Sequence, residues 1–216
     1  MTNDQNNQAK NKQQSEKQIH DLITKIDVDP QNTENYLKLA TCLIEQGSFD
    51  QATQLLEQAK HLVKNPQDLD YDLAVCLYLQ GDFAKALELL NQIPNDDLVL
   101  YQKALVFLKL GQRQKALAHA LTIKNIDNRV KELLGDIWLS LGDLTSAKSS
   151  YQQINENQRS AKVNFMLGIT TLNDNRKEAE EYLRKAKQED PKFYQQAQEQ
   201  YDAILKMIND SEKKND

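Results

Sequence analysis

Three histidines, two cysteines and a run of alternating aspartates are the residues from which this sequence could build reactive chemistry. His20, His61 and His119 stand in separate segments, none with a cysteine or carboxylate at the spacing a metal site needs. Asp68, Asp70 and Asp72 begin like a calcium loop, which also requires a central glycine for its turn and a closing glutamate as the last ligand. Leu73 and Leu79 occupy those two places, so the motif fails; acidic residues in a first helical turn are accounted for by the helix dipole. Cys42 and Cys76 are 34 residues apart. That spacing returns below as a structural period, which puts them on equivalent helices beyond the Cα separation of about 7 Å that a disulfide tolerates. They are expected as buried, reduced thiols. No phosphate-cradling loop, dinucleotide fingerprint or nucleophile elbow occurs. The expectation is a protein with no enzyme activity, no metal and no cofactor.

Composition narrows the partners. The chain has 216 residues, 39% hydrophobic and 27% charged, with a net charge of −5 and a mean hydropathy of −0.73. Net negative charge gives no long-range attraction to phosphate backbones, so direct nucleic-acid binding is not expected. Met1 to Lys17 holds no apolar signal core, and no stretch approaches the roughly 18 apolar residues of a membrane span. A cytoplasmic, membrane-free protein is expected, and the Asn/Gln/Lys-rich, glycine-poor composition looks bacterial.

Glycine announces the elements that must position any site. Gly47, Gly81, Gly111 and Gly142 each lie between two helical patterns, at spacings of 34, 30 and 31 residues, and an alanine follows each after five residues (Ala52, Ala86, Ala116, Ala147). Such a period marks stacked helical hairpins. The corner glycines suit the left-handed residue that ends many helices. Ser48 with Gln51 reads as a capping box, and Asp82 and Asp143 as N-caps. The division expected is a disordered polar tail over 1–14, a solenoid over 15–210 and a polar tail over 211–216. The hairpins fall at about 31–65, 67–95, 97–127, 128–157 and 158–190, and a capping helix at 191–210 carries Phe193, Ala197, Tyr201, Ile204, Leu205 and Ile208 on one stripe. The fifth hairpin has no corner glycine; Asn173, Asp174 and Asn175 stand there, types that tolerate left-handed backbone. Trp138 is expected in the core.

Leu134-Gly135 with Trp138, Ala147 and Tyr151, and Leu167-Gly168 with Ala179, Leu183, Ala186 and Pro191, resemble the tetratricopeptide repeat. Tyr36, Leu39, Ala40, Ala52, Leu56 and Ala59 fit the same pattern, while the second and third hairpins are shorter and put Ile93 and Ile123 where the last alanine belongs. The resemblance covers roughly residues 31–190. It implies an all-α, right-handed α-solenoid of about five hairpins with a C-terminal capping helix. Ala40, Ala74, Ala104, Gly135 and Gly168 would sit where the two helices of a hairpin cross.

The resemblance also implies a non-catalytic adaptor that binds a peptide or protein segment of unknown identity in a concave groove lined by the first helix of each hairpin. Projected here, that groove has three columns: Leu37, Tyr71, Tyr101, Glu132 and Phe165; Thr41, Val75, Leu105, Asp136 and Ile169; and Ile44, Tyr78, Leu108, Leu139 and Leu172. Glu132 and Asp136, one turn apart, would offer an acidic spot to a basic contact. The family's clamp for acidic C-terminal peptides is not expected, because its sites here are Leu37, Thr41, Asp72, Leu98 and Gln102, none cationic. Two rival readings are a self-associating homo-oligomeric array and a regulatory subunit of an enzyme or DNA-acting machine.

Overall fold

The computed structural model describes residues 2–212, and among them the twelve long elements are all α-helices. The fold is an α-solenoid, built as two compact units. The first unit, 1–112, holds α1 (Thr2–Val28), α2 (Thr33–Glu45), α3 (Phe49–Ala59), α4 (Asp70–Gln80), α5 (Phe83–Gln92) and α6 (Asp97–Lys109). The second, 113–216, holds α7 (Arg113–Thr122), α8 (Asn128–Ser140), α9 (Leu144–Gln152), α10 (Ala161–Thr171), α11 (Arg176–Glu189) and α12 (Pro191–Glu212). In each unit successive helices pack side by side. First helices also touch one another, α2 on α4 and α4 on α6 in one unit, α10 on α12 in the other.

The corners repeat one device. Gly81 adopts φ +85°, a conformation that costs a residue with a Cβ roughly 1–2 kcal/mol. The reversal lets Asp82 N–H reach back to Leu77 O at 2.9 Å, while the Asp82 carboxylate accepts from Lys85 N–H and starts α5. The same backbone bond recurs from Ser48 to Leu43, Gln112 to Phe107 and Asp143 to Trp138. Side-chain caps stand at Asn32, Asp96, Asp127, Asp143, Ser160 and Asn175.

Burial follows the small-and-large alternation of the repeat. In the first unit Tyr36, Ala40, Ala52, Leu56 and Ala59 form a core continuous with Leu69, Leu73 and Cys76, and Tyr36 Oη donates to Pro30 O at 3.1 Å. In the second, Ala147, Tyr151, Ile154, Val163 and Leu167 do the same. A Cβ on Gly135 would lie 2.4 Å from the Tyr151 ring, and one on Gly168 would lie 2.6 Å from Leu183. Both glycines are therefore helix crossings, as their place in the repeat implies.

Four expectations change. Helix α1 begins at Thr2, so residues 2–14 continue the helix instead of forming a disordered tail. Gln, Lys and Ala there are good helix formers, no breaker precedes Pro30, and extending an existing helix is cheaper than starting one. Ser48 makes no side-chain cap bond. The fifth corner uses no left-handed residue: Asp174 and Asn175 N–H both turn back to Thr171 O, and Asn175 caps α11. Trp138 is half-buried at the margin of the core around Tyr151 instead of inside it. Met1, the polar tail from residue 213 and the side chains of Ile204, Leu205 and Ile208 lie outside the described residues.

A candidate protein-binding face

His20 and His61 are exposed and His119 half-buried; no group of three or more metal-capable side chains occurs among the described residues. The aspartate run splits. Asp70 turns inward, 6% exposed, and pairs with Lys60 Nζ at 2.7 Å, while Asp68 stays exposed and Asp72 is half-buried. Cys42 and Cys76 are free and buried, and burial pushes the Cys76 thiol up to about 11, so it is a packing residue and not a nucleophile. No described helix is long and apolar enough to cross a membrane.

What the first unit does offer is an apolar face. Helix α3 has the usual division, with Ala52, Leu56 and Ala59 inward and Asp50, Gln51, Glu57 and Gln58 outward. Helix α4 lacks that polar side. Leu73, Ala74 and Cys76 fill its core face, Tyr71 and Tyr78 lie half-buried against the core around Ala74, Ala86 and Leu90, Val75 is half-buried, and Leu79 is 38% exposed. Helix α6 repeats this: Val99, Ala104 and Val106 are buried, Tyr101, Leu105 and Leu108 half-buried, and Leu98 is 50% exposed. A helix apolar on both sides needs a second partner for its outer stripe. Tyr78 is braced by Phe83, ring centroids 5.6 Å apart. On α2, Leu37 and Ile44 lean on the core, and exposed Thr41 spends its hydroxyl on Leu37 O at 2.9 Å.

Two polar groups interrupt this face. Burial holds the Asp72 carboxyl above its ordinary range, against a smaller opposing hydrogen bond from its own backbone, and no cation among the described residues pairs with it. Gln102, its equivalent one repeat later on α6, is 5% exposed, and its Nε2 has no acceptor among the described residues. Leaving such a donor unsatisfied typically costs about 1–3 kcal/mol. Lys103 is also buried, but its Nζ is committed to Asn95 Oδ1 at 2.7 Å, and burial depresses its pKa.

The equivalent positions of the second unit are filled from within. Lys162 Nζ lies 2.8 Å from Glu132 and 2.6 Å from Asp136, and Tyr151 Oη donates to Asp136 at 2.6 Å. Burial works against the Lys162 charge, but Asp136 and Glu132 outweigh it and hold the ammonium above its ordinary pKa. Burial and then the Asp136 charge push the Tyr151 phenol upward. The acidic spot expected at Glu132 and Asp136 is thus already engaged by the chain's own lysine, one positive charge against two carboxylates. Phe165 is not a groove residue either: it is 2% exposed, beneath the edge-on rings of Phe193 and Tyr194 from α12. Leu139 and Ile169 are half-buried and Leu172 is 37% exposed.

Residues 17–67 match the family model of the tetratricopeptide repeat, and residues 60–123 that of the anaphase-promoting complex (cyclosome) subunit 3. No curated protein matches the sequence. Among solved structures the chain is similar to one from the APC/C hetero-tetramer Cut9–Hcn1, with 17% identity over 83% of this chain but only 38% of that one, at TM-score 0.73. PilW, a type IV pilus biogenesis factor, aligns over 85% of this chain and 90% of its own at 15% identity and TM-score 0.72. YrrB, a TPR protein with an unusual peptide-binding site, aligns over 82% and 97% at 18% identity and TM-score 0.55. At these identities the likeness establishes the fold alone.

Proposed function

We propose, from the premise that this chain belongs to the tetratricopeptide-repeat family, that it is a non-catalytic adaptor holding a peptide or protein segment against the first helices of its first unit. Repeats of this type mediate protein–protein interaction, and YrrB, whose fold this chain shares, is a TPR protein with an unusual peptide-binding site. The observation that carries the proposal is the missing polar side of α4 and α6, whose outer stripes of Tyr71, Val75, Tyr101 and Leu105 are only half-buried. Tyrosine suits such a place because its ring gives apolar area and its hydroxyl a polar tip.

The test is capture of partners from the native cell by wild type and by a Tyr71→Ala/Tyr101→Ala pair, with helicity checked by circular dichroism. Loss of the specifically captured protein at unchanged helicity supports the assignment. Undiminished capture of the same protein by the double variant contradicts it.

A further inference from the structure

Building on that proposal, we infer that the first unit's face takes a basic amphipathic segment, its apolar side chains seated against Tyr71, Val75, Tyr101 and Leu105 and a lysine or arginine paired with Asp72. Three observations converge. Asp72 is half-buried at the side of an apolar stripe and makes no ion pair among the described residues, whereas Glu34, Asp70 and Asp82 of the same unit each hold a lysine. Its repeat equivalent, Gln102, puts a second polar side chain at the same register of α6, its buried amide donor without an acceptor among the described residues. The charge of the chain is also unevenly placed. Residues 1–112 carry ten Lys and no Arg against sixteen Asp or Glu, net −6, while 113–216 are net +1.

An acidic ligand would meet that field and the desolvated Asp72 carboxylate as repulsion. A purely apolar one would seal an unpaired charge under its own surface, which is costly. A segment with leucine-like residues on one stripe and a cation beside them satisfies both the stripe and the carboxylate. No lysine or arginine among the described residues pairs with Asp72, and Lys103 of the next first helix is bonded to Asn95.

The probe is a fluorescent helical peptide of leucine and lysine at amphipathic spacing, compared with its leucine–glutamate counterpart, by anisotropy with the full chain at about 0.15 M salt. The lysine peptide binds and the glutamate peptide does not. Asp72→Asn weakens binding about tenfold or more, while Glu88→Gln, the same charge change on exposed α5, leaves it within about twofold. Equal loss from both variants would mean attraction by net charge alone and would overturn the inference, as would equal binding of the two peptides. A concentration-dependent dimer that the peptide must dissociate would place a second copy on the face and overturn it too. Failure here remains distinct from failure of the adaptor assignment. If Tyr71→Ala/Tyr101→Ala loses the native partner and Asp72→Asn does not, the face stands and its basic ligand falls.

Discussion

Asp72 on α4 and Asp136 on α8 are both half-buried carboxylates on the first helices of their hairpins, yet their surroundings are opposite. Asp136 receives Tyr151 Oη and Lys162 Nζ, and α12 closes the neighbouring Phe165. Asp72 receives no cation among the described residues, and its apolar neighbours are half-buried. One repeat scaffold thus answers Asp136 from within the second unit and leaves Asp72 of the first without an ion pair among the described residues. Buried polar atoms without a hydrogen-bond partner nevertheless occur in both units, Gln102 Nε2 in the first and Asn164 Oδ1 and Thr171 Oγ1 in the second. A buried polar group that the fold itself completes contributes to stability, and one that it leaves incomplete reduces stability unless something else completes it. The comparison separates structure from function within a single chain.

The largest expected break of that contrast is Tyr151→Ala, since Tyr151 is fully buried and carries the bond to Asp136. It should cost about 3–5 kcal/mol in urea unfolding, and an unchanged midpoint would remove Tyr151 from the core. Gly135→Ala should follow with a net loss of roughly 1–3 kcal/mol, because the added Cβ meets the Tyr151 ring at 2.4 Å and overpacking exceeds the gain in helix propensity. A stabilised Gly135→Ala protein would show that the crossing can widen freely.

The sharper pair is Asp136→Asn against Asp72→Asn. Asp136→Asn loses a paired charge and should destabilise by about 1 kcal/mol, discounted because the network is partly solvated. Asp72→Asn should instead stabilise by a few tenths of a kcal/mol at pH 7. The sign follows from linkage. The folded carboxyl of Asp72 lies above its ordinary 3.8, so its contribution is harmless below the unfolded pKa, and stability falls as pH rises through the folded one. The gain from Asp72→Asn should therefore vanish near pH 3. Destabilisation of similar size by both asparagine variants at pH 7 would erase the distinction between the two units.

Much of the scaffold was legible because backbone geometry demands particular residues at particular spacings. Gly81 shows itself by the need for positive φ, and Gly135 by the need for space at a crossing. The site was less legible because its deciding partners are distant in sequence. Lys162 answers Glu132 and Asp136 from the next hairpin, and nothing local marks it as their cation; a search for basic residues about one period downstream of a paired acid would have found it. Phe165 has the apolar character of a groove residue, and only the docking of Phe193 and Tyr194 reveals that it is covered. Asp72 was read as part of a failed calcium loop and as a failed clamp site. Its isolation emerges only when Asp70 is seen to turn inward to Lys60.

The most direct measurement is amide hydrogen exchange of the full chain with and without the leucine–lysine peptide. Binding to the first unit predicts added protection in α2, α4 and α6, with α8 and α10 unchanged. Protection confined to α8 and α10, or spread evenly over both units, would contradict the division between an open first face and a closed second one.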